Sequence, residues 1–378
     1  MGGVTRRSLV VPWLAVAGLF SACGPGHGTP VATPTVTAHP AATETPTPPA
    51  QHLPLLAVLD HPFGAAPNTL LLLRADGGGE VGHVALDPDA ESVSTSGALV
   101  LVAGAGRMHV YGADGSVVAS VSLPGGPDSL VRGLIGDATA THLLWATVTQ
   151  TGDSAVSELY GAGVGGTPSL VLRSTAAGRA RQPLVWTPSG PVVSDEPLGI
   201  GGYVLFRRTF GPASLLDPGS GQVRALTDAG CAFSDMSADG SVACVRNGRE
   251  APNNGGAVTL HVVRAGGATP LDVALPVAVQ QAGAALFSPD GRTLTLATSP
   301  VLGEGSEQVS MALVDVASGT QRSFGAAGLM PVAWLADGRL VAVRLPGVAG
   351  GDPGTYVLDS NGTATLISSA SSVIGVLH

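Results

Sequence analysis

The sequence predicts an all-β fold: a seven-bladed β-propeller built of four-stranded antiparallel blades. Two hairpin phrases alternate along most of the chain. One is represented by Phe287-Ser288-Pro289-Asp290-Gly291-Arg292-Thr293-Leu294, the other by Leu215-Leu216-Asp217-Pro218-Gly219-Ser220-Gly221-Gln222-Val223. Each sets turn residues between apolar, β-prone runs and recurs at blade-sized intervals, the signature of a radially repeated sheet. Composition agrees, because 54 glycines and 29 prolines supply turns for many short strands, while 44% hydrophobic residues supply a core.

Taken in order, the first phrase occurs at Ser94-Thr95-Ser96-Gly97 and, in degenerate form, at Gly136-Asp137-Ala138-Thr139. It returns at Thr187-Pro188-Ser189-Gly190, Ser237-Ala238-Asp239-Gly240, Ser288-Pro289-Asp290-Gly291 and Leu335-Ala336-Asp337-Gly338. Asp-Gly and Ser-Gly pairs supply the positive φ that tight hairpin turns require. The second phrase turns at Ala75-Asp76-Gly77, Ala113-Asp114-Gly115, Val164-Gly165-Gly166 and Pro218-Gly219-Ser220-Gly221. It continues at Ala265-Gly266-Gly267, Ala317-Ser318-Gly319 and Ser360-Asn361-Gly362, giving seven copies against six of the first. The missing first hairpin would join Ser372-Val373-Ile374-Gly375-Val376-Leu377 to Leu55-Leu56-Ala57-Val58-Leu59, the two ends of the domain. One blade is therefore expected to form from both termini, which closes the ring and removes free sheet edges. Six and eight blades are the alternatives.

Ahead of the repeats, Arg6 and Arg7 precede an apolar stretch at 9–20. This run falls short of the roughly 20 residues a spanning helix needs, so residues 1–22 read as a signal peptide. Leu19-Phe20-Ser21-Ala22-Cys23 resembles the lipobox of bacterial lipoproteins, with Phe20 departing from the usual aliphatic residue. The resemblance implies cleavage before Cys23 and lipidation of its thiol. Plain secretion with cleavage near Ala22 is the alternative. Thr5-Arg6-Arg7-Ser8-Leu9-Val10 resembles a twin-arginine signal, so export by that route or by the general secretory route is open. Residues 23–52, rich in Pro, Thr and Ala, read as a disordered tether, and residues 53–378 as the propeller. The expected location is extracytoplasmic, anchored to the cell membrane through the N-terminal lipid.

The formal net charge of −9, with no lysine among 18 basic residues, argues against nucleic acid as a partner. The Gly-x-Ser-x-Gly elbow, His-Glu-x-x-His and Cys-x-x-Cys are absent. Gly161-Ala162-Gly163-Val164-Gly165-Gly166 matches a dinucleotide fingerprint in letters, yet it lies between strand-like runs with no following helix and reads as a glycine-rich hairpin. Asp87-Pro88-Asp89-Ala90-Glu91 lacks the glycine and distal glutamate of a calcium loop. His61, His83 and His109 have no partner at metal-ligand spacing. No metal, cofactor or catalytic residue is assigned. Besides Cys23, the cysteines are Cys231 and Cys244, flanking the Ala238-Asp239-Gly240 hairpin. A simple register sets Cys244 opposite Phe233, so a disulfide between them requires the sulfurs to meet across an offset, as a bulge would allow.

The phrases at 287–296 and 215–227 resemble those of TolB-like and other WD-repeat-like bacterial propellers, over nearly all of residues 53–378. The matching motifs are structural turns, so the resemblance implies fold and envelope location only. TolB also carries an N-terminal α/β domain where this chain has a tether, so TolB's partners do not carry over.

Within the repeat, second and third strands are expected to be joined by long loops that emerge on one face: 60–68, 195–202, 247–256, 299–308 and 346–354. These long loops are expected to carry Asp60, His61, Asp153, Asp195, Glu196, Glu250, Glu304, Glu307 and Asp352, opposed mainly by Arg246 and Arg249. Loops on a rigid scaffold are where binding concentrates. The expected function is a membrane-anchored, monomeric propeller whose mildly acidic face binds an envelope protein or small ligand. Two alternatives stand beside it: a lactonase- or lyase-like enzyme with a metal in the channel, and a ligand sensor.

Overall fold

Each hairpin phrase folds as a pair of antiparallel strands, and two successive phrases complete one four-stranded sheet. The computed structural model describes residues 54–60, 68–126, 128–198, 212–246, 257–300 and 308–378. The expected signal peptide, Cys23 and the tether lie outside them. Blade one begins with β1 (Leu55–Leu59), β2 (Thr69–Arg74) and β3 (Glu80–Ala85). Blade two is β4 (Ala90–Ser96), β5 (Leu99–Gly104), β6 (Arg107–Tyr111) and β7 (Val117–Ser122). Blade three is β8 (Ser129–Gly136), β9 (His142–Thr151), β10 (Ser154–Gly163) and β11 (Ser169–Ala177). Blade four is β12 (Arg179–Thr187), β13 (Gly190–Pro197), β14 (Ala213–Leu216) and β15 (Val223–Ala225). Blade five is β16 (Cys231–Met236), β17 (Val242–Arg246), β18 (Thr259–Val263) and β19 (Leu271–Ala274). Blade six is β20 (Gln281–Gly283), β21 (Thr293–Ser299), β22 (Ser310–Asp315) and β23 (Gln321–Ser323). Blade seven is β24 (Met330–Trp334), β25 (Leu340–Arg344), β26 (Gly354–Leu358) and β27 (Ala364–Ser368), and β28 (Ser372–Leu377) returns to blade one.

The seven sheets each run in sequence order from the first strand outward, and blade one reads β28-β1-β2-β3. The first strand of each sheet is innermost, with β28, β4, β8 and β12 in successive contact. Closure is antiparallel, Leu55 opposite Leu377 and Leu56 opposite Val376. A bulge after Ala57 skips Ile374, so Val58 meets Val373. The ring is thus sealed by pairing the termini, as the unequal count of the two phrases predicts.

The second strand of each sheet is the most buried, because there the sheet packs between two neighbours. Strand β25 is buried at all five positions, whereas β15 is exposed at all three of its own. This explains why the second strands, such as Leu99–Gly104 and Leu340–Arg344, read as near-continuous apolar runs rather than alternating patterns. Core clusters lie between blades. One joins Leu59, Leu70 and Leu72 of blade one to Val100 and Val102 of blade two, with Leu377 from the closing strand. Each such side chain contributes roughly 1.5–3 kcal/mol by burial.

The outer hairpins tie neighbouring blades together. Gly115 (φ +81°) lies so close to blade one that a Cβ there would come within 2.3 Å of the His83 carbonyl oxygen. Gly78 (φ +72°) in blade one does the same to blade seven, 2.4 Å from the Ile367 oxygen, and so reinforces closure. The second phrase carries glycine at these places because both the left-handed backbone and the close approach forbid a side chain.

Aspartates at the turns hold them shut. The carboxylates of Asp114, Asp217, Asp290 and Asp315 are held below the ordinary value, chiefly by hydrogen bonds from the hydroxyls of Ser116, Ser220, Ser288 and Ser318. At Asp137 burial pushes the carboxyl up, but bonds from His142 and Thr141 outweigh it and leave it at about 2. A depressed folded value means that this stability is complete above the unfolded value, near 3.9, and is lost as pH falls toward 2. Acid unfolding should therefore begin below about pH 5. Asp137→Asn should weaken that pH dependence and cost up to about 2 kcal/mol at neutral pH. Urea titrations at pH 7 and pH 3 check it; equal slopes of stability against pH in both proteins would refute the assignment.

Candidate functional site on the loop face

Antiparallel blades send both hairpin turns to one face and the second-to-third connections to the other. Five of those connections are long: between β1 and β2, β13 and β14, β17 and β18, β21 and β22, and β25 and β26. The other two are tight turns, Ala105-Gly106 in blade two and Gly152-Asp153 in blade three. Length is thus concentrated on blades four to seven and one.

The sequence-predicted residues fall into distinct settings. His61, Arg249, Glu250, Glu304 and Glu307 lie outside the described residues. Asp60 follows β1 and its Oδ1 accepts the Thr69 amide at 2.8 Å, closing the mouth of its loop. Asp153, expected on a long loop, stands instead in the two-residue turn between β9 and β10, with an exposed side chain.

Asp195 and Glu196 are a correction. Both were expected in a loop, but β13 runs on through Pro197 because its partner β12 continues to Arg179 opposite it. Asp195 receives two bonds from Arg181, Nε and Nη2 each at 2.8 Å, the bidentate geometry of a strong pair. Arg179 Nη1 donates to the Asp195 carbonyl at 2.7 Å. Glu196 is only 7% exposed and accepts the Ser194 hydroxyl at 2.6 Å.

Arg246 ends β17, and its Nη2 pairs with Asp228 at 2.9 Å. Arg344, which sequence reasoning did not single out, ends β25 and is 4% exposed. Its guanidinium reaches the carbonyls of Asp352 at 3.3 Å and Ala327 at 2.9 Å. Asp352 is thereby positioned through its backbone, and its side chain is left exposed. Arg181 offsets Asp195 and Asp228 offsets Arg246, so these two sequence-predicted charges are each locally paired and together leave the net charge of this face unchanged. Arg179, Arg181 and Asp228 were legible only as ordinary strand and turn residues.

Cys231 and Cys244 are bonded, with Cα atoms 5.4 Å apart. In the register Phe233 opposes Cys244 and Cys231 opposes Arg246. The bond runs along the diagonal, and the nearby bulge lies after Phe233, beyond the regular ladder stretch that pairs 231–233 with 244–246. It links the start of β16 to the strand that feeds the 247–256 connection.

Among the described residues no group of three or more His, Cys, Asp or Glu could hold a metal ion. Asp87 and Glu91 are each engaged by a backbone amide: Asp87 Oδ1 accepts the Asp89 amide at 2.9 Å, and Glu91 Oε2 accepts the Val131 amide of the next blade at 2.7 Å. The glycine-rich run at 161–166 ends β10 and turns into β11.

No family model matches the chain, and no curated protein matches its sequence. Solved structures do. The chain is similar to Pyrococcus horikoshii acylaminoacyl peptidase at 13% identity and a TM-score of 0.52, covering 80% of this chain and 48% of that one. It is similar to a Bacteroides uniformis protein described as a 6-phosphogluconolactonase, at 14% identity and a TM-score of 0.50, covering 85% and 98%. TolB from Acinetobacter baumannii matches at 12% identity and a TM-score of 0.45, covering 84% and 80%. These likenesses are likenesses of fold. The chain is a seven-bladed β-propeller, and TolB structures are among those it resembles.

Proposed function

We propose that the protein is an exported, lipid-anchored propeller that presents its loop face to an envelope protein or small ligand, as a binding or scaffold module. The observation that supports this reading is the concentration of five long connections on one face of a ring sealed by its own termini. Such a ring fixes the strand ends from which the loops leave, which lowers the ordering cost of binding. Cys23 is the lipid attachment point, and the residues to 52 hold the ring away from the membrane.

The test combines anchor and face. Cys23→Ala should abolish incorporation of labelled palmitate and release the protein from the membrane fraction. Replacing residues 247–256 with Asn-Gly should leave the thermal midpoint within about 2 °C, as expected of a surface loop, while removing the partner recovered by cross-linking in intact cells. Retention of the same cross-linked partner by the loop-shortened protein would overturn the binding-face assignment. Unaltered palmitate labelling of Cys23→Ala would overturn the anchor.

A further inference from the structure

On the opposite face, the hairpin turns of blades six and seven flank an open cleft of about 370 Å³, lined by both blades. That volume falls within the range of about 300–1,000 Å³ typical of small-molecule sites. Its origin is visible by comparison within the molecule. The first hairpin of blade three closes with the Asp137 amide on the His142 carbonyl, and that of blade six with the Ser288 amide on the Thr293 carbonyl. His142 and Thr293 are therefore equivalent. Trp186 and Trp334 are equivalent in turn, each one residue before the closing position of the following blade's first hairpin. Between blades three and four, the His142 ring stacks on Trp186 at 6.2 Å and an interplanar angle of 28°. Between blades six and seven the smaller Thr293 stands there instead, and a cavity opens beside Trp334.

The walls of this cavity are amphipathic. Trp334 is fixed by its indole N–H, which donates to the Leu286 carbonyl at 3.1 Å. Arg322 lies 5.5 Å over the Phe324 ring. The rim carries Asp290 and Asp337, both held ionised: Asp290 first by the Ser288 hydroxyl, Asp337 first by Arg339. Ser360 adds a hydroxyl from the outer hairpin of blade seven. The charges at the rim are balanced, because Asp337 is paired with Arg339 at 2.8 Å and the Phe324 face is already taken by Arg322. A cationic ligand would find Asp337 paired, Asp290 already in the field of Arg292, and the Phe324 ring covered. A neutral ligand with many hydroxyls finds acceptors in the aspartates, donors in Arg322 and Ser360, and an aromatic surface for its apolar C–H face.

We propose that the cleft between blades six and seven binds a neutral saccharide of one or two rings, with Trp334 as the stacking platform and Asp290, Asp337 and Arg322 reading the hydroxyls. This site is separate from the loop face and does not depend on the function proposed for it.

The experiment is calorimetric titration of the full chain with glucose, N-acetylglucosamine, cellobiose and chitobiose, with choline chloride as the cationic comparison. At least one of the four sugars should bind saturably. Thr293→His, which copies the blade-three arrangement, should fill the cleft and weaken that binding by roughly tenfold or more, as the loss of a stacking contact does. Trp334→Ala should do the same, and Thr293→His keeps the test decisive if that variant fails to fold. The variant with residues 247–256 replaced should bind the sugar normally. Failure of all four sugars to bind, undiminished binding by Thr293→His, or tighter binding of choline than of any sugar would each overturn the proposal.

Discussion

Removal of residues 372–378 should leave the protein unable to complete its first blade, and it should not fold. Strand β28 supplies the innermost position of blade one and pairs with β1 along its length. Its Val376 and Leu377 are 9% and 2% exposed, and they belong to two different inter-blade clusters. Gly375 lies against blade two, where a Cβ would come within 2.1 Å of the Thr95 hydroxyl. The truncated chain would lose two buried side chains, leave the β1 backbone unpaired on one side, and open the cores on either side of blade one. Domains are stable by only about 5–15 kcal/mol. Burial accounts for roughly 1.5–3 kcal/mol of each side chain, and the exposed cores would add more. A milder version isolates the packing: Leu377→Ala should cost about 2–4 kcal/mol while keeping the ladder. Circular dichroism, thermal unfolding and limited proteolysis would report both. A truncated protein melting cooperatively at the wild-type temperature would show that the ring does not depend on its closing strand.

That closure was legible because it left a mark in the sequence: seven outer hairpins but six inner ones, with β-prone runs at both ends. Turn chemistry is local, so Asp-Gly and Ser-Gly pairs declare themselves wherever they occur. The loop face was legible only in outline. The sequence marks the connection after Val193 as polar, yet it does not show that Arg181 lies across from Asp195. That pairing extends β13 and turns two expected loop carboxylates into strand residues, one paired and one buried. The cysteines show the same limit. Register alone separates them, and the diagonal across two twisted strands is a three-dimensional quantity that spacing does not carry. The cleft beside Trp334 was invisible for a related reason, since it depends on comparing side chains of different blades that only the ring brings to equivalent positions.

Arg344→Met should release the loop face of blade seven, with a stability loss of about 1–3 kcal/mol. Arg344 is buried, and among the described residues no carboxylate pairs with it. Its partners are the Ala327 and Asp352 carbonyls and the Tyr356 hydroxyl, which donates in turn to the Asp352 carbonyl at 2.7 Å. Two effects oppose each other in the substitution. Removing a buried charge relieves a desolvation cost, which can reach several kcal/mol. Removing its donors costs the charged hydrogen bonds to the Ala327 and Asp352 carbonyls, the latter keeping only the Tyr356 hydroxyl; such bonds to a charged group contribute about 1.5–3 kcal/mol each. The second should prevail here. A guanidinium is weakly hydrated and gives up less on burial than an ammonium, and this one also stacks 5.3 Å above the Tyr356 ring. The surrounding backbone is shaped to it: a Cβ at Gly328 (φ +82°) would come within 2.9 Å of its Nε, and within 2.1 Å of the Ala349 oxygen. Arg344 therefore joins the connection entering blade seven to the loop that carries Asp352. Hydrogen exchange should quicken at 325–329 and 346–353 while β25 and β26 stay protected, and Arg344→Lys should follow Met, because a compact ammonium cannot span both carbonyls. If the Met variant matched the wild type in urea midpoint and exchange, the guanidinium would be a tolerated burden rather than the fastening of this loop.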